Sequence, residues 1–276
     1  MGPAAPAAPP STDQLAAVER AVRRMRDHLG EVQCLSDHAE AGLFSPFHFH
    51  RVFRNVTAVT PARFLAALRM AEAQRMMIRG TPRVTDVCTA VGYSSLGTFT
   101  TQFTRLVGMP PSRFKALLDR HGDRGIGEVV GAVGRPVAAP PGRCRPGQLT
   151  GRVTGQVPAD GIVFTGLFPH GVPQDLPLAC TVAPARGTLR LRPPEGAGHH
   201  ILAVCFDRGT RVADALDDPS GVHRLVATTP APTHGSFRLP LRRPALSDPP
   251  IVLALPLLLA RDSGPAGAAG AAAEPG

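Results

Sequence analysis

The sequence predicts an α + β, multidomain chain: an N-terminal all-α domain of two tandem helix-turn-helix units and a C-terminal all-β sandwich, joined by a Gly/Pro-rich linker. Three observations predict it. Apolar residues recur at helical spacing as far as residue 119 and at short, strand-like spacing beyond residue 149. Gly and Pro concentrate between 122 and 148. Phe49-x-x-x-Phe53 returns as Phe99-x-x-x-Phe103, an offset of 50 residues, and Thr60-Pro-Ala-Arg-Phe64 returns at the same offset as Pro110-Pro-Ser-Arg-Phe114.

In order, residues 1–10 read as a disordered Pro/Ala tail. Ser11 or Thr12 caps a helix carrying Leu15, Val18, Val22, Met25 and Leu29 on one side, and Gly30 ends it. Val32, Leu35 and Ala39 start a second short helix that reaches the turn Gly42-Leu-Phe-Ser45. Ser45 caps the next helix, Pro46 suits its first turn, and Phe49, Val52, Phe53 and Val56 make its inner stripe. Its outer stripe holds Phe47, His50, Arg51 and Arg54. A helix so short needs its inner face buried to exist. Helix, tight turn and a second helix with a polar outer face is the helix-turn-helix order.

Thr60-Pro61 then caps a long connecting helix over 62–79. The second unit follows: Val84, Val87, Cys88 and Val91, a stop at Gly92, the turn Tyr93-Ser-Ser95, and an inner stripe of Leu96, Phe99, Phe103 and Leu106. Gly97, Thr98, Thr101, Thr104 and Arg105 stay outside, and a closing helix spans 112–119. Residues 11–121 are thus one domain, 122–148 a linker, 149–262 the sandwich and 263–276 a disordered Gly/Ala tail.

In the C-terminal half, strands are expected over 149–157, 162–168, 178–182, 188–191, 201–206, 222–227, 236–241 and 251–255, with one helical turn at 212–216. Val163–Phe168 reads as a half-buried strand, and Asp214, Asp217 and Asp218 as a solvated acidic turn. The hairpin-like phrase Gly187-Thr-Leu-Arg-Leu191, Pro194-Glu-Gly196, Ile201-Leu-Ala-Val204 resembles prealbumin-like and carboxypeptidase-regulatory-like sandwiches.

The 276 residues carry a net charge of +9 with a pI near 10.7, and 29 of the 30 basic residues are arginine. Residues 13–121 hold 15 basic against 9 acidic side chains, and residues 144–262 hold 12 against 9, so a polyanionic partner is expected at the first segment. Five scattered cysteines without a C-x-x-C pair argue against a disulfide framework or zinc site and fit a reducing cytosol. His48 reads as a structural residue at the turn, and His28, His38, His199 and His200 show no metal spacing. No signal peptide is expected at the start, and the longest apolar stretch, 251–260, is too short to span a bilayer and is broken by Pro256. A cytoplasmic, nucleoid-associated protein without cofactor is expected.

Phe47-His-Phe-His-Arg-Val-Phe53, Thr60-Pro-Ala-Arg-Phe64, Val91-Gly-Tyr-Ser-Ser95 and Thr98-Phe-Thr-Thr-Gln-Phe103 lie within residues 13–119, which closely resemble the DNA-binding domain of the AraC/XylS family of bacterial transcription regulators. The resemblance implies double-stranded DNA as partner, RNA polymerase as a second one, and DNA-facing residues at Phe47, His50, Arg51, Arg54 and Arg63 in the first unit. In the second unit it implies Ser95, Gly97, Thr98, Thr101, Gln102 and Arg105. Arg51 suits bidentate contact with guanine, Phe47 a thymine methyl, His50 a base edge or phosphate, and Arg54 and Arg63 phosphate. The second helix offers hydroxyls rather than a guanidinium or amide at its centre, so unequal readers are expected. Many family members place a sensor before this domain, whereas here the extra region follows it, and an arabinose-type pocket is not carried over. Small-effector binding, dimerisation and protein contact stay open for the sandwich. Some AraC-type domains are fused to alkylation-repair modules with a nucleophilic cysteine in Pro-Cys-His-Arg. Cys144 lies in Arg-Cys-Arg-Pro, and Cys180 and Cys205 have no adjacent His, so no enzyme is expected.

Overall fold

The computed structural model describes residues 10–81, 83–131, 148–169, 171, 173, 176–194 and 198–260. The tails expected at 1–10 and 263–276 fall outside them except for Pro10, as do most of the expected linker, Cys144 and part of the Pro194-Glu-Gly196 turn.

Helix α1 (Thr12–Asp27) opens on a reciprocal capping box between Ser11 and Gln14 and buries Ala17, Val18, Ala21, Val22 and Met25. Helix α2 (Leu35–Gly42) ends on Leu43 in the left-handed region, and α3 (Pro46–Thr57) ends on Ala58 in the same region. Helix α4 (Pro61–Ile78) starts at Thr60, whose side chain accepts from the Arg63 N–H. Helices α5 (Val84–Ala90), α6 (Leu96–Val107) and α7 (Pro111–His121) repeat the arrangement. Val32 is 99% exposed and Leu96 is 46% exposed, so neither joins the apolar stripe expected of it. Leu96 holds the first-turn place that Pro46 holds in α3, one step before the inner face begins.

The 50-residue repeat is spatial as well as sequential. Phe53 lies between Phe49 and Phe64, with ring centroids 5.4 Å apart in both pairs. Phe103 lies between Phe99 and Phe114 at 5.6 and 5.7 Å. In each trio the ring on the following helix meets the central ring edge-on, an arrangement that adds about 0.5–1.5 kcal/mol per pair beyond burial. Helix α4 belongs to both cores. Phe64, Leu65 and Leu68 pack in the first, and Met70, Ala73 and Met77 in the second.

The C-terminal half contains helices and two sheets. Strands β1 (Leu149–Thr154), β4 (Leu189–Leu191) and β7 (Ser236–Pro240) form one sheet in the order β4-β1-β7, with β1 and β7 parallel. Strands β2 (Gly161–Phe168), β3 (Ala179–Pro184), β5 (His200–Asp207) and β6 (Arg224–Pro230) form the other, in the order β3-β2-β5-β6 and wholly antiparallel. One apolar cluster joins Leu149, Leu189 and Leu239 of the first sheet to Val163, Leu167, Ile201 and Ala203 of the second.

Four expectations are corrected here. The phrase Gly187–Val204 is no hairpin: β4 pairs with β1, whereas β5 pairs with β2 and β6, so the chain crosses between sheets. Residues 251–254 form no strand but lead into α10 (Leu255–Leu258), where Pro256 takes a first-turn position. With α9 (Val212–Leu216) and α10, this half is not all-β. The region expected to be linker begins with α8 (Ile126–Val130), which buries Ile126, Val129 and Val130.

Strand β2 is buried at all eight positions, not half-buried as its sequence suggested. Val163 and Leu167 pack with the three-stranded sheet. Ile162 and Phe164 instead join one continuous core with α4–α8, α9, and Val252, Ala254 and Leu257. The joint is polar as well as apolar. Gln74 Nε2 donates to the buried Val252 carbonyl at 2.9 Å, and the Ala254 N–H donates to the Val107 carbonyl at 3.1 Å. Arg79 meets both carboxylate oxygens of Asp217 at 2.9 and 3.0 Å. Asp218, far from solvated, is 3% exposed and accepts from the Val222 and His223 N–H groups.

Ala58 and Gly108 are repeat equivalents, both left-handed, at φ 62° and 90°. The left-handed conformation costs a non-glycine residue about 1–2 kcal/mol. Ala58→Gly is therefore expected to stabilise the chain by roughly 1 kcal/mol, less the entropy that glycine adds to the unfolded state. Gly108→Ala is expected to destabilise it more, because the new Cβ would also lie 2.9 Å from Leu258. Thermal melts of the two variants check both signs.

Candidate nucleic-acid interface

Burial of Phe49, Val52, Phe53 and Thr57 turns the opposite side of α3 outward. Phe47 is 83% exposed there, and Arg51 and Arg54 are exposed with it. His50 is half-buried, nearer the edge of that face than its centre. Arg63, in the first turn of α4, is exposed.

His48 has a double role that its spacing alone did not reveal. Its ring meets Phe44 edge-on at 4.7 Å, which fixes it against the turn. Its Nδ1 lies 3.4 Å from a guanidinium nitrogen of Arg51, so it can accept from the arginine and hold it over the outer face. Asn55, exposed one turn beyond Arg51, also shares that face and was passed over in sequence.

On α6 the equivalent face is smaller and less charged. Gly97, Thr98 and Thr101 are exposed, and Gln102 is half-buried. Ser95 spends its hydroxyl on the helix cap by accepting from the Thr98 N–H. Arg105 donates to the Gln102 side-chain oxygen at 2.9 Å, and Thr104 donates to the Thr100 carbonyl at 2.8 Å. Helix α3 thus carries two arginines and α6 one, with no acidic residue on either. Arg113, exposed in the first turn of α7, is the repeat equivalent of Arg63, and the 50-residue offset is the signal that could have found it.

Arg69 ties the two units to each other. It donates to the carbonyls of Leu29 and Glu31 at 3.0 and 2.7 Å, and its guanidinium lies 5.7 Å from the centre of the Tyr93 ring. Tyr93 in turn meets Phe99 at 5.7 Å. Gly92 leaves room for this bracket, since a Cβ there would lie 2.9 Å from both Arg69 and the Leu29 carbonyl. Burial and the nearby Tyr93 act on Arg69 in opposite directions, and burial prevails, lowering its proton affinity.

The remaining chemistry is weak. Among the described residues, no group of three His, Cys, Asp or Glu side chains is placed to hold a metal. Burial pushes the Cys205 thiol up to about 11, with Asp207 adding to the rise, and burial also raises Cys180 and Cys88. Thiols so protonated at neutral pH are poor nucleophiles. Cys34 is exposed at the start of α2. A thiol-alkylating reagent at pH 8 is expected to modify Cys34 at least tenfold faster than Cys180 or Cys205, with the latter two reached on unfolding. Peptide mass spectrometry reads the order directly.

A family model described as a helix-turn-helix domain matches residues 39–116. The uncharacterized HTH-type transcriptional regulator YobQ of Bacillus subtilis is 32% identical over 94 residues, which is 34% of this chain and 39% of that protein. The bifunctional transcriptional activator/DNA repair enzyme AdaA of the same organism is 27% identical over 73 residues, 26% of this chain and 35% of that one. A transcriptional regulator from Chromobacterium violaceum, described as AraC-type DNA-binding domain-containing, aligns over 38% of this chain and 95% of its own at 19% identity and a TM-score of 0.37. The chain spans 35–39% of the length of the first curated relatives it matches. No described helix is long and apolar enough to cross a membrane. The matched residues run from within α2 into α7 and so cover the paired Phe trios and both outer faces, which makes residues 39–116 of this chain a helix-turn-helix domain.

Proposed function

We propose that the protein is a sequence-specific, double-stranded-DNA-binding regulator of transcription whose α3 and α6 enter successive major-groove segments. The single observation that carries this reading is the repeated pair of helices, each clamped by a phenylalanine trio on one side and open to solvent on the other. Helix α4 has 18 residues and is therefore about 27 Å long at 1.5 Å per residue, a connector on the scale of the roughly 34 Å DNA turn it would have to match. Similarity to HTH-type transcriptional regulators supports a role in transcription, and the excess of basic residues in 13–121 supports salt-dependent binding to phosphate.

In this reading α3 supplies most of the base discrimination. Arg51, oriented by His48, contacts guanine, Phe47 packs on a thymine methyl, and His50 meets a base edge or phosphate. Arg54 and Arg63 hold the backbone, joined by Arg113 from the second unit. Ser95, Gly97, Thr98, Thr101, Gln102 and Arg105 follow the phosphates and read bases through water or hydroxyls. The C-terminal sheets would form a sandwich domain for effector binding, dimerisation or protein contact, with RNA polymerase among its candidate partners, and the protein would act in the cytoplasm. Burial keeps the Cys180 and Cys205 thiols protonated, so a DNA repair activity such as AdaA is named for has no footing at those residues.

Binding-site selection with the full-length chain, followed by affinity measurements on single-base variants of the selected site, tests the reading. Arg51→Ala is expected to cost roughly 1–3 kcal/mol on the selected site and to relax one base position. Thr101→Ala is expected to weaken binding less, and evenly across sequences. Equal losses on all sequences for Arg51→Ala, or sharper base preference in the half-site read by α6, overturn the division of labour. Failure to select any site overturns the function.

A further inference from the structure

A cavity of about 900 Å³ lies in the seam between the helical half and the outer face of the four-stranded sheet. That volume is at the upper end of the 300–1,000 Å³ typical of small-molecule sites. Phe164, Phe168, Leu202 and Val204 line it from β2 and β5. Strand pairing puts Gly166 directly opposite Leu202, so the centre of this wall carries one side chain fewer than its neighbours. The surface is apolar, but its rim is not.

Among the described residues, four arginines line the cavity, Arg26 of α1, Arg75 of α4, Arg224 of β6 and Arg242, against three carboxylates, Glu72, Asp218 and Asp248. Arg242 is answered by Asp248 at 2.6 and 2.8 Å, and Arg75 by Glu72. Arg224 is answered less well. Asp218 lies 3.9 Å away, and its two oxygens already accept from backbone N–H groups. Arg26 has no carboxylate within ion-pair distance among the described residues. Among the described residues, one positive charge is therefore left over at the rim of a largely apolar cavity. Its cost is visible in the arginines themselves: burial first, then mutual repulsion with Arg75, lowers the proton affinity of Arg26, and burial does the same to Arg224 despite Asp218. An unbalanced guanidinium in reduced solvent is stabilised by an anion that brings its own hydrogen-bond acceptors.

We propose that this cavity binds a monoanionic amphiphile, with its carboxylate held by Arg26 and Arg224 and its hydrocarbon body lying on Phe164, Leu202 and Val204. A monoanion balances the leftover charge, and a longer polar ligand would leave that apolar wall unmatched. The walls come from both halves of the chain, α1 and α4 on one side and β2, β5 and β6 on the other, so an occupant bridges them. The site stands apart from α3 and α6, and its occupancy is measured without DNA, so this proposal and the DNA-binding reading fail separately.

Calorimetric titration of the full-length protein with decanoate and decyltrimethylammonium below their micellar concentrations, and with decanol below its solubility limit, tests it. Decanoate is expected to bind saturably, one per chain, at least tenfold more tightly than decanol, and the cationic amphiphile not to bind. Arg26→Gln and Arg224→Gln, each with its melting temperature recorded without ligand, are each expected to reduce the preference for decanoate over decanol while leaving decanol's affinity unchanged. Should Arg224→Gln fail to fold, because it strips Asp218 of its cation, Arg26→Gln and the loss of the decanoate preference at high salt still decide. Absence of saturable decanoate binding, equal binding of decanoate and decanol, or a preference that survives Arg26→Gln overturns the proposal.

Discussion

Helix α4 gives Phe64, Leu65 and Leu68 to the core of the first unit and Met70, Ala73 and Met77 to that of the second, so the two units cannot rotate independently without opening one of these cores. A helix used this way has no polar stripe wide enough to face water, and most of its residues are apolar or small. Arg69 reinforces it from outside by fastening the end of α1 and the Tyr93 turn to the middle of the same helix. The spacing and tilt of the two exposed faces are thereby set by packing, with close-packed side chains resisting any intermediate geometry. The proposed reading of DNA by α3 and α6 needs that rigidity, because a base contact tolerates little displacement.

The second constraint is the sheet that has no free face. Strands β2 and β5 sit between the three-stranded sheet and the helical half, and their near-continuous apolar sequences follow from burial on both sides. The helices therefore act as a third layer, closed by α8, α9 and α10. Backbone pairing of Gly125 with Arg211, and hydrogen bonds from Val212 and Ala213 to the carbonyls of Arg124 and Gly122, fix the chain where a loose connection was expected. The cavity is what remains of this seam where helix and sheet diverge.

The helical half was legible because its signals are local. Caps, stops and the recurrence of Phe49, Phe53 and Phe64 at Phe99, Phe103 and Phe114 all lie within a few residues of what they determine. The C-terminal half was legible strand by strand but not in its pairing, since β1 pairs with a strand more than 80 residues later and nothing near either one records it. The continuous run in 161–168 held the information that both faces are covered, but a short apolar run alone does not distinguish one covered face from two. Asp218 looked no different in sequence from Asp214 and Asp217 because the groups that bury it, Val222, His223 and Arg224, form their contacts only once the turn closes. The outer residues of α3 were readable from helical phase, whereas the support that His48 gives Arg51 depends on side-chain direction at the helix start and on Phe44.

At the cavity the two halves meet through α1 and α4, the helices against which α3 and α6 pack. Arg26 lies on α1, which packs on α2 and α3, and Arg75 lies on α4, seven residues beyond Leu68 of the first core and two before Met77 of the second. An occupant of the seam that engages both arginines and Arg224 would add contacts between sheet and helices without touching α3 or α6. Such a ligand can alter DNA affinity only by the difference in its own affinity for the arrangements those helices adopt with and without DNA. Because α4 is locked into two cores, the arrangements available to it are few, and any coupling acts through the relation between the helical half and the sheet. A ligand that bound both arrangements equally would occupy the cavity and leave recognition unchanged, so occupancy and regulation are separable properties of this fold.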